Sequence, residues 1–453
     1  MTDDGFFKFS IKKILSEYKT GKITPLDVAG LCIHQYDRYE SEYQAWICFS
    51  KDTIQKYAVD TNERLNCQKT IRPLEGIPVG VKDIYNTIDF PTQMGSPIWE
   101  NFTPGNDARV VYYLKKAGAI IPGKTVTAEF AVHTLGKTFN PHDITRTPGT
   151  SSSGSAVAVA TGMVPAAIGT QTAGSIVRPA SFCGIYGCKP SFGLIPRTGM
   201  LKTTDSLDTV GFFCLHFVDL MRLFNVLTVH GSNYPISHAA LQDKKRQSKP
   251  VGRPWKIAFV KTHVWDEAYP YAQRAIQEWV EKIRTMDTVI ETVNQPELMK
   301  HAHEIHAAIY NKTLSYYFRE EFSNDTLISP IMKDLIVAGN RITPDNYQRA
   351  LEQQNVLIHT MENFFNNFDI LVSLSTAGEA PPREEIERRD PALMWTMCHL
   401  PVISAPVFKS PAGLPFGVQI VARKYNDLKL FRFCEYLRTC GLIPERSYPK
   451  IKI

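Results

Sequence analysis

The chain of 453 residues has no apolar run long enough to cross a membrane as a helix, which argues against a helical membrane protein. Paired cysteine spacings are missing as well. Nine cysteines are scattered with no C-x-x-C among them, as expected of free thiols in a reducing compartment rather than of a disulfide framework. A clustered basic stripe is also absent: the net charge of +6 is a mild excess of 51 basic over 45 acidic side chains, too diffuse to suggest nucleic-acid binding. The one visible cluster, Lys244-Lys245-Arg246 with Lys249 and Arg253, is punctuated by Pro250, Gly252 and Pro254 and reads as a solvated loop. Met1-Thr2-Asp3-Asp4 lacks the basic-then-apolar order of an export signal. These absences predict a soluble cytoplasmic protein with no membrane or nucleic-acid partner; a monomer or homodimer is expected, though nothing in the sequence chooses between them. There is no internal repeat and no low-complexity tract.

What is present, 43% hydrophobic and 21% charged residues, describes a globular protein with a substantial core. Ile11, Ile14, Leu15 and Tyr18 fall at helical spacing and stop at Gly21, and Thr24-Pro25 with Asp27 opens a second helix. Ile77, Val79 and Val81 alternate as a strand that delivers Lys82 and Asp83 to its end. Asp107 is placed to cap a helix reaching Gly118, and 119–121 reads as a short strand. Beyond residue 200 the pattern predicts long helices over about 267–286, 295–322 and 343–367. Strands return at 369–374, 402–407 and 417–421, and a helix from Asp427 closes the chain. This reads as a single α/β domain over 1–453: core motifs at 76–200, a helical insertion at about 210–365, and returning elements at 369–440.

One motif match fails on context and two other motifs are not met. Gly118 to Thr125 fits G-x-x-x-x-G-K-T, but a helix precedes Gly118 and the stretch that should curl round phosphate reads as strand. His301, His303 and His306 do not have the H-E-x-x-H spacing of a zinc helix and read as the polar side of an amphipathic helix. The nucleophile elbow G-x-S-x-G is absent at both serine-rich turns.

The informative stretch is 148–197, PGTSSSGSAVAVATGMVPAAIGTQTAGSIVRPASFCGIYGCKPSFGLIPR. Its two Ser/Gly turns, 149–155 and 172–175, have little bulk to contribute to a core. Such turns bring backbone N–H groups and hydroxyls close to a ligand. A serine there needs a base to attack, and no histidine lies in or near either turn. A lysine held neutral by burial can serve. Lys82, ending an apolar strand, is one candidate among many lysines on spacing alone.

The stretch from Gly76 to Arg197 resembles the amidase signature family. The resemblance rests on Gly76-Ile-Pro-Val-Gly-Val-Lys82-Asp83, on Gly123 to Ala131 with Asn140-Pro141, and on both serine turns. Phe182-Cys-Gly184 and Gly187-Cys-Lys189-Pro190 add to it, as do Ala45-Trp46-Ile47 near the start and Gly413 to Gln419 near the end. Only about 210–365 carries no motif of the family. The resemblance implies an α/β/α fold with a central mixed, twisted sheet wrapped by helices. It implies a Ser–cis-Ser–Lys triad: Ser175 as nucleophile, Ser151 as bridging serine on a cis peptide bond, and Lys82 as base. Thr172, Ala173, Gly174 and Ser175 would form the oxyanion hole, with Ser152 and Arg178 at the substrate and no metal or cofactor. Ser152, Ser153 and Ser155 are expected to shape their loop rather than to catalyse. Three departures stand out: Ala173 and Thr150 replace glycines, and Gln171 replaces an acid. Arg178, three residues past Ser175, is similar to the malonamidase branch and implies a small amide carrying a carboxylate. Two alternatives remain open, an amidotransferase or amide-forming enzyme, and a non-catalytic scaffold on the same fold.

Overall fold

In the computed structural model, which describes residues 5–447 except Asn233, Asp325 and Asp390, the strands of the chain form one mixed sheet. In chain order they are β1 (Trp46–Phe49), β2 (Val79–Lys82), β3 (Gly123–Thr125), β4 (Ala166–Gln171), β5 (Tyr186–Lys189) and β6 (Thr209–Cys214). The remainder are β7 (Trp255–Lys261), β8 (Thr288–Asn294), β9 (Ile370–Leu374), β10 (Val402–Lys409) and β11 (Pro415–Ala422). Their order across the sheet is β1-β3-β2-β4-β6-β5-β10-β11-β9-β7-β8. β2 runs parallel to both β3 and β4, and β7 runs parallel to β8 and β9; the pairs between these groups are antiparallel. The expected mixed sheet wrapped by helices is what forms.

The helix Ser153–Ala160 is buried at every residue and packs against the sheet around β2 and β4. Its sequence SGSAVAVA explains how it fits: small side chains let the backbones approach closely. Gly154 has no alternative, since a Cβ there would lie 2.3 Å from Val126 N and 2.4 Å from Ala45 O. The opening helices form as their caps predict. Ile11–Thr20 ends on left-handed Gly21, and Pro25–Tyr43 begins on a capping box between Thr24 and Asp27.

Several expectations need correction. Asp107 does not cap the helix Arg109–Lys116; its carboxylate takes the Lys115 ammonium at 2.8 Å and the Ile88 N–H at 2.9 Å. The strand expected at 119–121 is only a bridge from Ile120 to Pro78, and β3 lies at Gly123-Lys124-Thr125 instead. That also removes the phosphate loop, because Lys124 is fully buried and ion-paired with Asp83 at 3.0 Å. The stretch 210–365 is not purely helical, since β6, β7 and β8 fall within it or overlap its start. β8 escapes the periodicity because it is an edge strand in which only Ile290 is buried, and its apolar residues Val289, Ile290 and Val293 do not alternate with polar ones. Arg246 and Arg253 leave the expected solvated loop to bond Asn426 Oδ1 and Asp369. None of the nine cysteines is paired. Among the described residues no helix is long and apolar enough to cross a membrane.

Candidate active site

Lys82 is the last residue of β2, and the parallel register with β4 sets Val81 opposite Ile168. The Lys82 side chain therefore reaches the 169–170 stretch and the start of the buried helix. It is fully buried, and its Nζ lies 2.9 Å from Ser151 Oγ, 3.0 Å from Ser152 Oγ and 3.0 Å from Thr170 Oγ1. Burial pushes its pKa down from the ordinary lysine value to about 7, against the opposing pull of the Asp208 carboxylate. A neutral amine has two protons and one lone pair, so one of the three hydroxyls must donate to it. Ser152 gives its proton to the Thr170 carbonyl at 3.2 Å, which leaves Ser151 and Thr170 able to do so.

Ser151 sits in a tight turn, Thr150–Ser152, at the entry to the buried helix. The expected cis bond is not there; every peptide bond among the described residues is trans. The chain reverses through two successive left-handed residues instead, Gly149 at φ 100° and Thr150 at φ 64°. Gly149 is obligatory, because a Cβ would meet Pro179 Cα at 2.6 Å. Thr150 is a β-branched residue in an unfavourable region. Its hydroxyl donates to Glu387 Oε1 at 2.8 Å, a bond that glycine could not make. Ser152 is corrected too: it is fully buried and bonded to Lys82 and Thr170, so it holds the lysine and does not meet substrate. Ser155, bonded to Thr125 and the Ile168 carbonyl, is structural as expected.

Ser175 follows β4, half-buried on the wall of a cavity of about 630 Å³ that Thr172, Ala173 and Arg178 also line. Among the described residues its hydroxyl bonds no other protein group, so the Lys82–Ser151 leg of the triad is formed here and the Ser151–Ser175 leg is not. Gln171 explains the shape of the turn. Its side-chain oxygen accepts the N–H groups of Ile176 and Val177 at 2.8 and 2.9 Å. Its amide nitrogen donates to Thr396, whose hydroxyl donates to the Ala173 carbonyl at 2.7 Å. The N–H groups of Ala173, Gly174 and Ser175 donate to no protein acceptor among the described residues, the condition an oxyanion hole requires.

Three groups without a local sequence signature complete the site. Thr170 is the third partner of Lys82. Asp208, just ahead of β6, is buried and accepts five bonds: from Thr172 Oγ1, and from the backbone and hydroxyls of Thr203 and Thr204. The only sequence signal for it is a lone acid flanking an apolar strand. Removing so many satisfied bonds at once is expensive. Asp208→Ala is expected to lower stability by about 3 kcal/mol or more and to loosen the Thr172 end of the turn; chemical denaturation with parallel activity measurement checks both. The third is Glu387, whose Oε2 lies 2.7 Å from Arg178 Nη1. Arg178 thus lines the cavity as expected, but with a carboxylate of the chain already on it.

The histidines also differ from expectation. His301 is on the surface beside Glu304, but His303 and His306 line the cavity. His306 Nε2 lies 3.0 Å from the Thr172 carbonyl, and His303 Nδ1 lies 3.0 Å from His263 Nε2.

Known proteins resemble this chain in sequence and in fold. The family model for Amidase matches residues 27–431. The chain is 30% identical over 455 residues to a subunit of the glutamyl-tRNA(Gln) amidotransferase of Chloroflexus aurantiacus, covering 91% of this chain and 92% of that one. Among solved structures, the peptide amidase of Stenotrophomonas maltophilia superposes with a TM-score of 0.83 at 22% identity, with 99% of each chain covered. The same amidotransferase subunit from Thermotoga maritima does so with a TM-score of 0.78 at 24% identity, with 100% of each chain covered. At these identities the two structures speak for the fold.

Proposed function

The chain belongs to the amidase signature family, and from that premise we propose that it cleaves the C–N bond of a carboxamide through an acyl-enzyme on Ser175. The observation that carries this reading is Lys82: fully buried, with a pKa lowered to about 7, and 2.9 Å from a serine hydroxyl. Neutral Lys82 takes the Ser151 proton as Ser151 takes that of Ser175, and Ser175 Oγ attacks the carbonyl carbon. Apo sites often tighten such contacts only when substrate binds, so the open Ser151–Ser175 leg closes on substrate entry. The N–H groups of Ala173, Gly174 and Ser175 stabilise the oxyanion. Collapse breaks the C–N bond, and the leaving nitrogen takes its proton from Ser151, which recovers one from Lys82. Water then attacks the acyl ester by the same route, releasing the acid and restoring Ser175.

The carboxylate-bearing substrate expected from Arg178 is not carried forward, because Glu387 already holds that guanidinium. A second reading has specific support. The amidotransferase relatives match nearly end to end, and in this reading ammonia freed from an amide goes to an acyl group on tRNA. Gln171 weighs for plain hydrolysis, since the tRNA-dependent branch of the family typically carries an acid at this position. Ammonia release from simple primary amides by the purified chain separates the two. Hydrolysis is expected from the chain alone. Release seen only with glutamine, charged tRNA and partner proteins would move the assignment to the second reading.

A further inference from the structure

Four side chains from three separated stretches build a carboxylate seat on the cavity wall. Arg178 Nη1 lies 2.7 Å from Glu387 Oε2, while Glu387 Oε1 accepts from Thr150 Oγ1 at 2.8 Å and from Thr147 Oγ1 at 3.3 Å. The arginine and glutamate side chains are only 13% and 18% exposed, so the pair is shielded from solvent and weakly screened. The strap that carries Glu387 is anchored on both sides. Ahead of it the Thr147 N–H reaches the Pro381 carbonyl at 3.0 Å, and Arg383 donates to the Thr138 and Gly136 carbonyls. Behind it Arg388 donates to the Glu267 carbonyl and Arg389 to the Glu267 carboxylate. Arg383, Arg388 and Arg389 line the same cavity as Glu384 and Glu385, with Arg383 and Arg388 bonded to backbone carbonyls and Arg389 to the Glu267 carboxylate.

We propose that Glu387 is a specificity determinant: it fills the anion seat at Arg178, so the site takes amides whose far end is uncharged or cationic and turns away those ending in a carboxylate. This deepens the amidase reading and rests on it. An incoming carboxylate must displace Glu387 from its guanidinium and from two hydroxyls. The displaced carboxylate then stands beside the newcomer, two like charges competing for one guanidinium. The unusual Thr150 belongs to the same device, since its hydroxyl is half of the cradle that holds Glu387 in place.

The test uses Ser175→Ala protein, which binds amides without turning them over, and three probes of similar size: succinamide, β-alaninamide and succinamate. Calorimetry is expected to show succinamate at least tenfold weaker than succinamide. Adding Glu387→Gln, which keeps the shape but removes the charge and turns one acceptor oxygen into an amide donor, is expected to tighten succinamate at least tenfold, with succinamide changed less than threefold. Adding Arg178→Ala to that variant should cancel the gain. If the Gln variant does not fold, Arg178→Met/Glu387→Met removes both charges and should bring succinamate and succinamide within about threefold of one another. A parent protein that prefers succinamate overturns the proposal. So does a bias against succinamate that survives loss of the Glu387 charge, or failure of all three probes to bind. Ammonia release by the chain with Ser175 intact is a separate readout: the predicted binding pattern without ammonia release would uphold the seat and overturn the amidase reading.

Discussion

Replacing Ser175 by alanine is expected to lower kcat by roughly 10⁴-fold or more, the scale at which loss of the attacking atom leaves only binding and oxyanion stabilisation. The fold should be indifferent to the change. Ser175 is half-buried and its hydroxyl bonds no other protein group among the described residues, so stability should move by no more than about 0.5 kcal/mol. The turn is shaped by other groups: Gln171 on the N–H groups of Ile176 and Val177, Thr396 on the Ala173 carbonyl, Asp208 on Thr172. The oxyanion donors therefore stay in place without the hydroxyl. A fluorophosphonate probe should label the parent protein at Ser175 and spare the variant. Full labelling of Ser175→Ala, or retention of its amide turnover, would move the nucleophile elsewhere and end the assignment.

How much of this can be read from the residues follows from how far apart the partners lie. Lys82, Ser151 and Ser175 stand in local patterns, a strand end and two small-residue turns, and a local pattern survives in the sequence. Thr170 lies between the two serine turns, yet its role depends on the β2–β4 register, which no local signal specifies. Asp208 also holds nearby Thr203 and Thr204, but it reaches Thr172 across 36 residues and Glu387 reaches Thr150 across 237, and pairings at that range leave almost no trace in composition or periodicity. The departures from the family pattern are legible as departures but not as compensations. Thr150 in place of glycine makes sense only once its bond to Glu387 is seen, and Gln171 in place of an acid only once its amide is seen donating to Thr396. The middle of the chain misleads for a related reason. β7 lies next to the edge and β8 is the half-exposed edge itself, so the pair that ends the sheet looks from sequence like a gap between helices.

Lys82→Ala is expected to reduce kcat/KM by about 10²–10⁴-fold, the usual contribution of a positioned general base, and its pH dependence is the sharper test. The lysine's pKa is lowered to about 7 by burial, whereas an unfolded chain returns it to about 10.4. Only the neutral amine can take a proton. Activity should therefore be nearly full above about pH 8, half-maximal near pH 7, and should fall about tenfold per unit below that. The same shift has a signed effect on stability. Between about pH 10.4 and 7 the unfolded chain holds a proton that the folded site refuses. The Lys82 contribution is thus fully present above the unfolded pKa, is lost as pH falls to the folded one, and changes no further below it. Lys82→Ala should lose both signatures together: its residual activity should show no acid limb near pH 7, and its stability should vary less with pH across that window. Lys82→Arg should rescue nothing, since a guanidinium stays charged at every working pH. An acid limb that persists unchanged in Lys82→Ala would assign the titrating base to another group, and a rate within about tenfold of the parent would remove Lys82 from the chemistry.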